Sequence, residues 1–79
     1  MKVIYNRISE EFLTVEESRD IIFEIDRSQK DVEWSDYSSL DIDDLCDRLN
    51  QENIYDCGTC YYIVDDNISK RDLLKVIYG

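Results

Sequence analysis

The sequence has no proline, no histidine and only two glycines, Gly58 and Gly79. With no proline- or glycine-rich stretch there is no linker composition, so residues 1–79 are expected to form one domain. The lack of histidine removes the commonest general base and nucleophile activator. No glycine-rich phosphate loop and no Gly-x-Ser-x-Gly is present either. Carboxylate pairs such as Asp65 and Asp66 remain, but adjacent acids ahead of a helix ordinarily serve as turn and cap residues. The chain is therefore expected not to be an enzyme and to need no cofactor. No apolar run approaches the roughly 20 residues that span a bilayer. The opening Met1-Lys2-Val3-Ile4-Tyr5-Asn6-Arg7 does not read as a signal peptide. Cysteine is sparse and odd in number, at Cys46, Cys57 and Cys60, which favours a reducing compartment and a cytoplasmic location.

What is present is apolar and acidic. An apolar fraction of 43% with nine aromatic residues (Phe 2, Trp 1, Tyr 6) argues for a folded core despite the charge. The net charge is −10, and it is unevenly distributed. Residues 1–30 carry seven acids against five bases, and residues 57–79 three against three. Residues 31–56 carry nine acids (Asp31, Glu33, Asp36, Asp41, Asp43, Asp44, Asp47, Glu52 and Asp56) against the single base Arg48. Direct nucleic-acid binding needs clustered Lys and Arg, and an anionic membrane surface attracts the same residues, so both partners are disfavoured. A basic protein surface is the natural target.

Hydrophobic periodicity and capping residues place the elements. Lys2–Asn6 reads as a short strand, with Val3 and Tyr5 alternating against Lys2, Ile4 and Asn6. Thr14-Val15-Glu16-Glu17 is a capping box, opening a helix that runs to about Arg27. Its apolar face is Val15, Ile22 and Ile25 with Ile21, and Phe23 lies off that stripe. A strand at residues 20–26, pairing with "DVEWSDY", is the alternative. Ile42, Leu45, Cys46 and Leu49, at i, i+3, i+4 and i+7, predict a second helix. Asp41 is its N-cap, Leu40 and Leu45 form a staple, and Asp43, Asp44 and Asp47 point away from the apolar face. Thr59–Val64 reads as a strand. Ser69 then caps a last helix, with Asp72 at its third position and Leu73, Leu74 and Ile77 as its buried face. The expected class is α+β: two or three strands packed by about three short helices, in the order β-α-(β)-α-β-α.

Two motifs suggest metal or redox chemistry without supporting it. Cys57-Gly-Thr-Cys60, even with Cys46, lacks a fourth soft ligand for zinc, and it leads into a strand where a redox pair would open a helix. A small cysteine-dependent metal or redox protein built on Cys46, Cys57 and Cys60 is thus the weakest alternative. Asp41, Asp43 and Glu52 fall at calcium-loop positions one, three and twelve, but Leu45 and Cys46 occupy the places of an oxygen ligand and the turn glycine.

The acidic segment remains. An ordinary solvated helix face intersperses bases among its acids, and this one does not. Trp34, Tyr37 and Tyr55 are interleaved with the charge, as suits an interface where rings anchor and carboxylates steer. The leading expectation is a non-enzymatic acidic inhibitor that occupies a basic, nucleic-acid-binding surface of a larger protein such as a nuclease. Its contact residues would be Glu33, Trp34, Asp36, Tyr37, Asp43, Asp44, Asp47, Glu52 and Asp56. In size and charge, though in no aligned motif, the chain resembles the short acidic anti-CRISPR and anti-restriction proteins of phages and mobile elements. A regulatory or assembly module binding through an apolar and aromatic patch is the alternative.

Overall fold

The protein is built around its first strand, β1 (Lys2–Asn6), which pairs antiparallel on both sides. The computed structural model describes residues 1–53 and 58–79. The sheet order is β2-β1-β3, with β2 spanning Glu11–Leu13 and β3 Tyr61–Asp65. Three helices complete it: α1 (Val15–Arg27), α2 (Ile42–Gln51) and α3 (Lys70–Tyr78). The class is α+β, as expected. The third strand is Glu11–Leu13, however, and residues 31–37 form no strand; Trp34–Asp36 there is a single 3-10 turn.

Strand alternation divides the interior into two cores. Ile4 joins Ile22, Tyr37, Leu45, Cys46 and Leu49 on one sheet face, with Leu13 and Ile63 packed against them. Val3, Tyr5 and Val64 face the other way and are covered by Leu73 of α3. The central strand is therefore buried on both sides, Ile4 and Asn6 included, rather than wet on one face. Asn6 also shapes the turn into β2: its Oδ1 accepts from the backbone N–H of Ile8 (2.9 Å) and of Ser9 (3.3 Å). Glu10 closes that turn with φ of 58°, a left-handed conformation an L residue adopts at a cost.

Each helix begins where a local cap dictates. Thr14 accepts from the Glu17 N–H at 3.0 Å while Glu17 accepts from the Thr14 N–H at 3.1 Å, a complete capping box. Asp41 and Ser69 accept from the N–H of Asp44 (2.9 Å) and Asp72 (3.2 Å). Residues 20–26 are thereby helical. The buried stripe of α1 includes two polar residues, Ser18 and Asp26, alongside Ile22. On α3 the expected apolar face is narrower: Leu73 is buried, whereas Leu74 stays 46% exposed. The helix lies over the sheet through its Leu73–Ile77 side, one turn apart, and Leu74 is rotated off that line.

Asn50 ties α2 to the sheet edge. Antiparallel bonding in the pairs Arg7–Cys60 and Met1–Asp66 directs the backbone of Tyr61 and Ile63 away from β1. Asn50 fills the place of a further strand at Tyr61. Its Oδ1 accepts from the N–H groups of Cys60 (3.0 Å) and Tyr61 (2.9 Å), and its Nδ2 donates to the Tyr61 carbonyl at 3.1 Å. A side-chain amide has the donor and acceptor of a peptide unit, so it caps an edge that would otherwise template pairing.

Candidate functional site

The acidic segment is sorted by α2. At about 100° per residue, Asp43, Asp44 and Asp47 cluster on the side opposite Leu45, Cys46 and Leu49. All three acids are exposed, and among the described residues none makes an ion pair. The neighbouring helix repeats the pattern. Glu16, Glu17, Asp20 and Glu24 occupy the outward face of α1, where Arg27 pairs with Glu24 at 3.0 Å. α1 and α2 cover the same sheet face, so the outer surface of this helix layer is acidic on both helices.

Arg48, the lone base of the segment, faces inward. Its Nη2 lies 2.7 Å from Asp26 Oδ1 and its Nη1 3.3 Å from Asp26 Oδ2. The Asp26 side chain is 8% exposed and that of Arg48 31%. Tyr37 donates its hydroxyl to Asp26 Oδ2 at 2.5 Å, and Glu52 Oε1 sits 3.5 Å from Arg48 Nη2. The Arg48 hydrogen bonds hold the Asp26 carboxyl below its ordinary value against the opposing effect of burial. The bond to Asp26 in turn raises the Tyr37 phenol. The base that would have diluted the acidic surface is thus consumed inside, and it ties α1 to α2.

The aromatic residues divide. Trp34 remains 43% exposed on its 3-10 turn, with Phe23 edge-on beneath it, ring centroids 5.2 Å apart. Glu33 and Asp36 flank it and are exposed. Tyr37, expected as a second surface anchor, is instead a core residue, 6% exposed. Phe23 packs against it at 5.4 Å and Asp26 takes its hydroxyl, so both its ring and its polar end are satisfied within the molecule. Glu52 lies at the C-cap of α2, partly engaged by Arg48. Asp56 lies outside the described residues, as do Tyr55 and Cys57.

The remaining cysteines do not form a reactive site. Cys46 and Cys60 are both buried. Burial, reinforced by Asp47 and Asp43, pushes the Cys46 thiol up to about 11, and a protonated thiol is neither nucleophile nor ligand. Among the described residues no three Cys, Asp or Glu side chains converge as metal ligands would. No helix there is long and apolar enough to cross a membrane. An open cleft of about 410 Å³ lies at the start of α1, lined by Met1, Thr14, Val15, Glu16 and Arg19. Arg19 is already committed to the Leu40 carbonyl at 2.9 Å.

No family model, curated protein or solved structure matches the chain. The geometry alone therefore carries the functional reading. The α1 carboxylates do not stand out along the sequence, because residues 1–30 are nearly balanced in charge. The recurrence Glu16, Asp20, Glu24 at i, i+4, i+8, all opposite the apolar stripe, was the available signal.

Proposed function

We propose that the chain is a non-enzymatic binding protein whose acidic helix layer occupies a basic, nucleic-acid-binding surface of a larger protein. Rows of carboxylates on rigid helices would then stand where backbone phosphates stand, as in inhibitors of the anti-defence kind. The supporting observation is that Asp43, Asp44 and Asp47 are exposed and, among the described residues, unpaired, while Arg48, the only base in α2, is spent on Asp26. Asp43 and Asp44 in the first turn suit the helix dipole, but Asp47 lies beyond it, where like charges three and four residues away destabilise the helix, so folding gives no reason for Asp47. Trp34 would anchor the contact and the carboxylates would steer and orient it. A nuclease is the kind of target whose site offers such a surface.

The decisive experiment captures partners from lysate on the immobilised protein and measures the affinity of the purified partner across salt. Affinity is expected to fall at least tenfold, ~1.4 kcal/mol, between about 50 and 500 mM salt. Duplex DNA or RNA is expected to compete with the protein for that partner. Binding that survives the combined substitution Asp43→Lys, Asp44→Lys and Asp47→Lys, or that ignores salt, refutes the proposal.

A further inference from the structure

The opposite side of the sheet has the opposite character. α3 carries Lys70, Arg71 and Lys75 against the single acid Asp72. In a chain of net charge −10, none of these three cations makes an ion pair among the described residues. Exposed apolar side chains stand among them: Leu74 at 46% and Tyr78 at 75%. Phe12, 47% exposed, lies on the same sheet face, opposite Tyr5 with ring centroids 4.8 Å apart. At about 100° per residue Lys70, Arg71, Leu74, Lys75 and Tyr78 share one side of α3, and cations interleaved with exposed apolar side chains suit an interface better than a solvated helix.

We infer that this α3 face binds the acidic α2 face of a second copy of the chain, head to tail. The occupant follows from charge complementarity. The carboxylates that Lys70, Arg71 and Lys75 lack are those of Asp43, Asp44 and Asp47, which lie across the sheet from them. The two sets cannot meet within one molecule and are free to meet between two. At an ionic strength near 0.15 M the screening length is about 8 Å, so the mutual repulsion of two acidic chains is damped while charges in contact are not. Because the two faces differ, the contact is heterologous and leaves one of each open at the ends, so association continues beyond the dimer. The inference goes beyond the proposed function and does not rest on it: a protein that binds a basic target yet stays monomeric refutes this inference alone.

Sedimentation velocity of the purified protein from about 5 to 500 μM reads it directly. The wild-type sedimentation coefficient is expected to rise with concentration and to fall back in high salt. The variant Lys70→Glu, Arg71→Glu, Lys75→Glu and the variant Asp43→Lys, Asp44→Lys, Asp47→Lys are each expected to remain monomeric. An equimolar mixture of the two is expected to associate again. Their net charges are −16 and −4, from −10 by six units either way, so general attraction cannot bring them together. Tyr78→Ser, at the most exposed apolar position of α3, is a second probe of the same face and is expected to weaken association. A wild-type protein that stays monomeric, association that persists in either charge-reversed variant, or a mixture that stays monomeric overturns the inference.

Discussion

Replacing Asp26 by Asn tests whether the inward ion pair is what joins the helix layer. The substitution keeps volume and one carbonyl oxygen but removes the charge. In either orientation the NH2 group meets an Arg48 donor: in the place of Oδ1 it faces Nη2, and in the place of Oδ2 it faces Nη1 and the Tyr37 hydroxyl. Against Arg48 it sets donor against donor, replacing a bidentate contact of 2.7 and 3.3 Å. A charge-assisted hydrogen bond contributes about 1.5–3 kcal/mol, and breaking a fully buried pair costs about 3–5 kcal/mol. Arg48 is 31% exposed and has Glu52 at 3.5 Å, which places the loss near the lower figure, about 3 kcal/mol. For a domain of this size that is a drop in Tm of roughly 12–24 °C.

Urea and thermal unfolding followed by circular dichroism give the number, and the pH dependence identifies its source. The folded Asp26 carboxyl titrates below its unfolded value. Its contribution is therefore fully present above the ordinary carboxylate value near ~3.9 and drains away as pH falls through the lower, folded one. The wild type should lose its advantage over Asp26→Asn only in that acidic window and keep it unchanged from about pH 5 to 8. A loss below about 1 kcal/mol, or a difference already closing at neutral pH, would refute the assignment of Asp26 and Arg48 as the coupled pair.

Three further outcomes follow from the geometry. Asp47→Lys removes like-charge contacts with Asp43 and Asp44 in the second half of α2, so it is expected to raise stability by about 0.5 kcal/mol in urea titrations while weakening binding to a basic partner. Asn50→Ala removes the Asn50 hydrogen bonds to the Cys60 and Tyr61 N–H groups and to the Tyr61 carbonyl, to which Cys46 Sγ also lies at 3.5 Å; a cost of about 2–3 kcal/mol is expected, with hydrogen exchange at those two amides accelerating most. Glu10→Gly relieves the left-handed backbone at φ 58° and should be stabilising by about 0.5–1 kcal/mol, read as a rise in Tm with the far-ultraviolet spectrum unchanged.

Local signals proved legible and long-range ones did not. All three helix starts rest on a hydroxyl or carboxylate acting within three residues, and each of Thr14, Asp41 and Ser69 caps as its neighbours imply. The apolar face of α2 is equally local. β2 was invisible because three residues cannot display an alternation, and its central Phe12 is half exposed on an edge strand. Residues 31–37 imitate a strand with Val32 and Trp34, but Tyr37 is drawn into the core by Asp26, and the backbone turns to bring it there. Nothing in one sequence announces a bond between residues 26 and 48. A buried Asp and a largely buried Arg are the two types that composition assigns to the surface. The same blindness made the charge of the acidic segment look incompletely one-sided, since Arg48 counts in the sum while its guanidinium is turned inward on Asp26.

On the proposed function, the separation of inward from outward charge should make salt act in opposite directions on fold and contact. Asp26 and Arg48 are largely shielded from solvent, so added salt screens them little. The surface acids of α1 and α2 have few bases to pair with, so for them salt mainly removes repulsion, and the folded state gains. Stability should therefore rise with ionic strength over the range in which binding to a basic surface declines. A protein whose surface charges stabilised its fold would show both quantities falling together. Opposed slopes are the signature of carboxylates retained for what they meet rather than for what they hold in place.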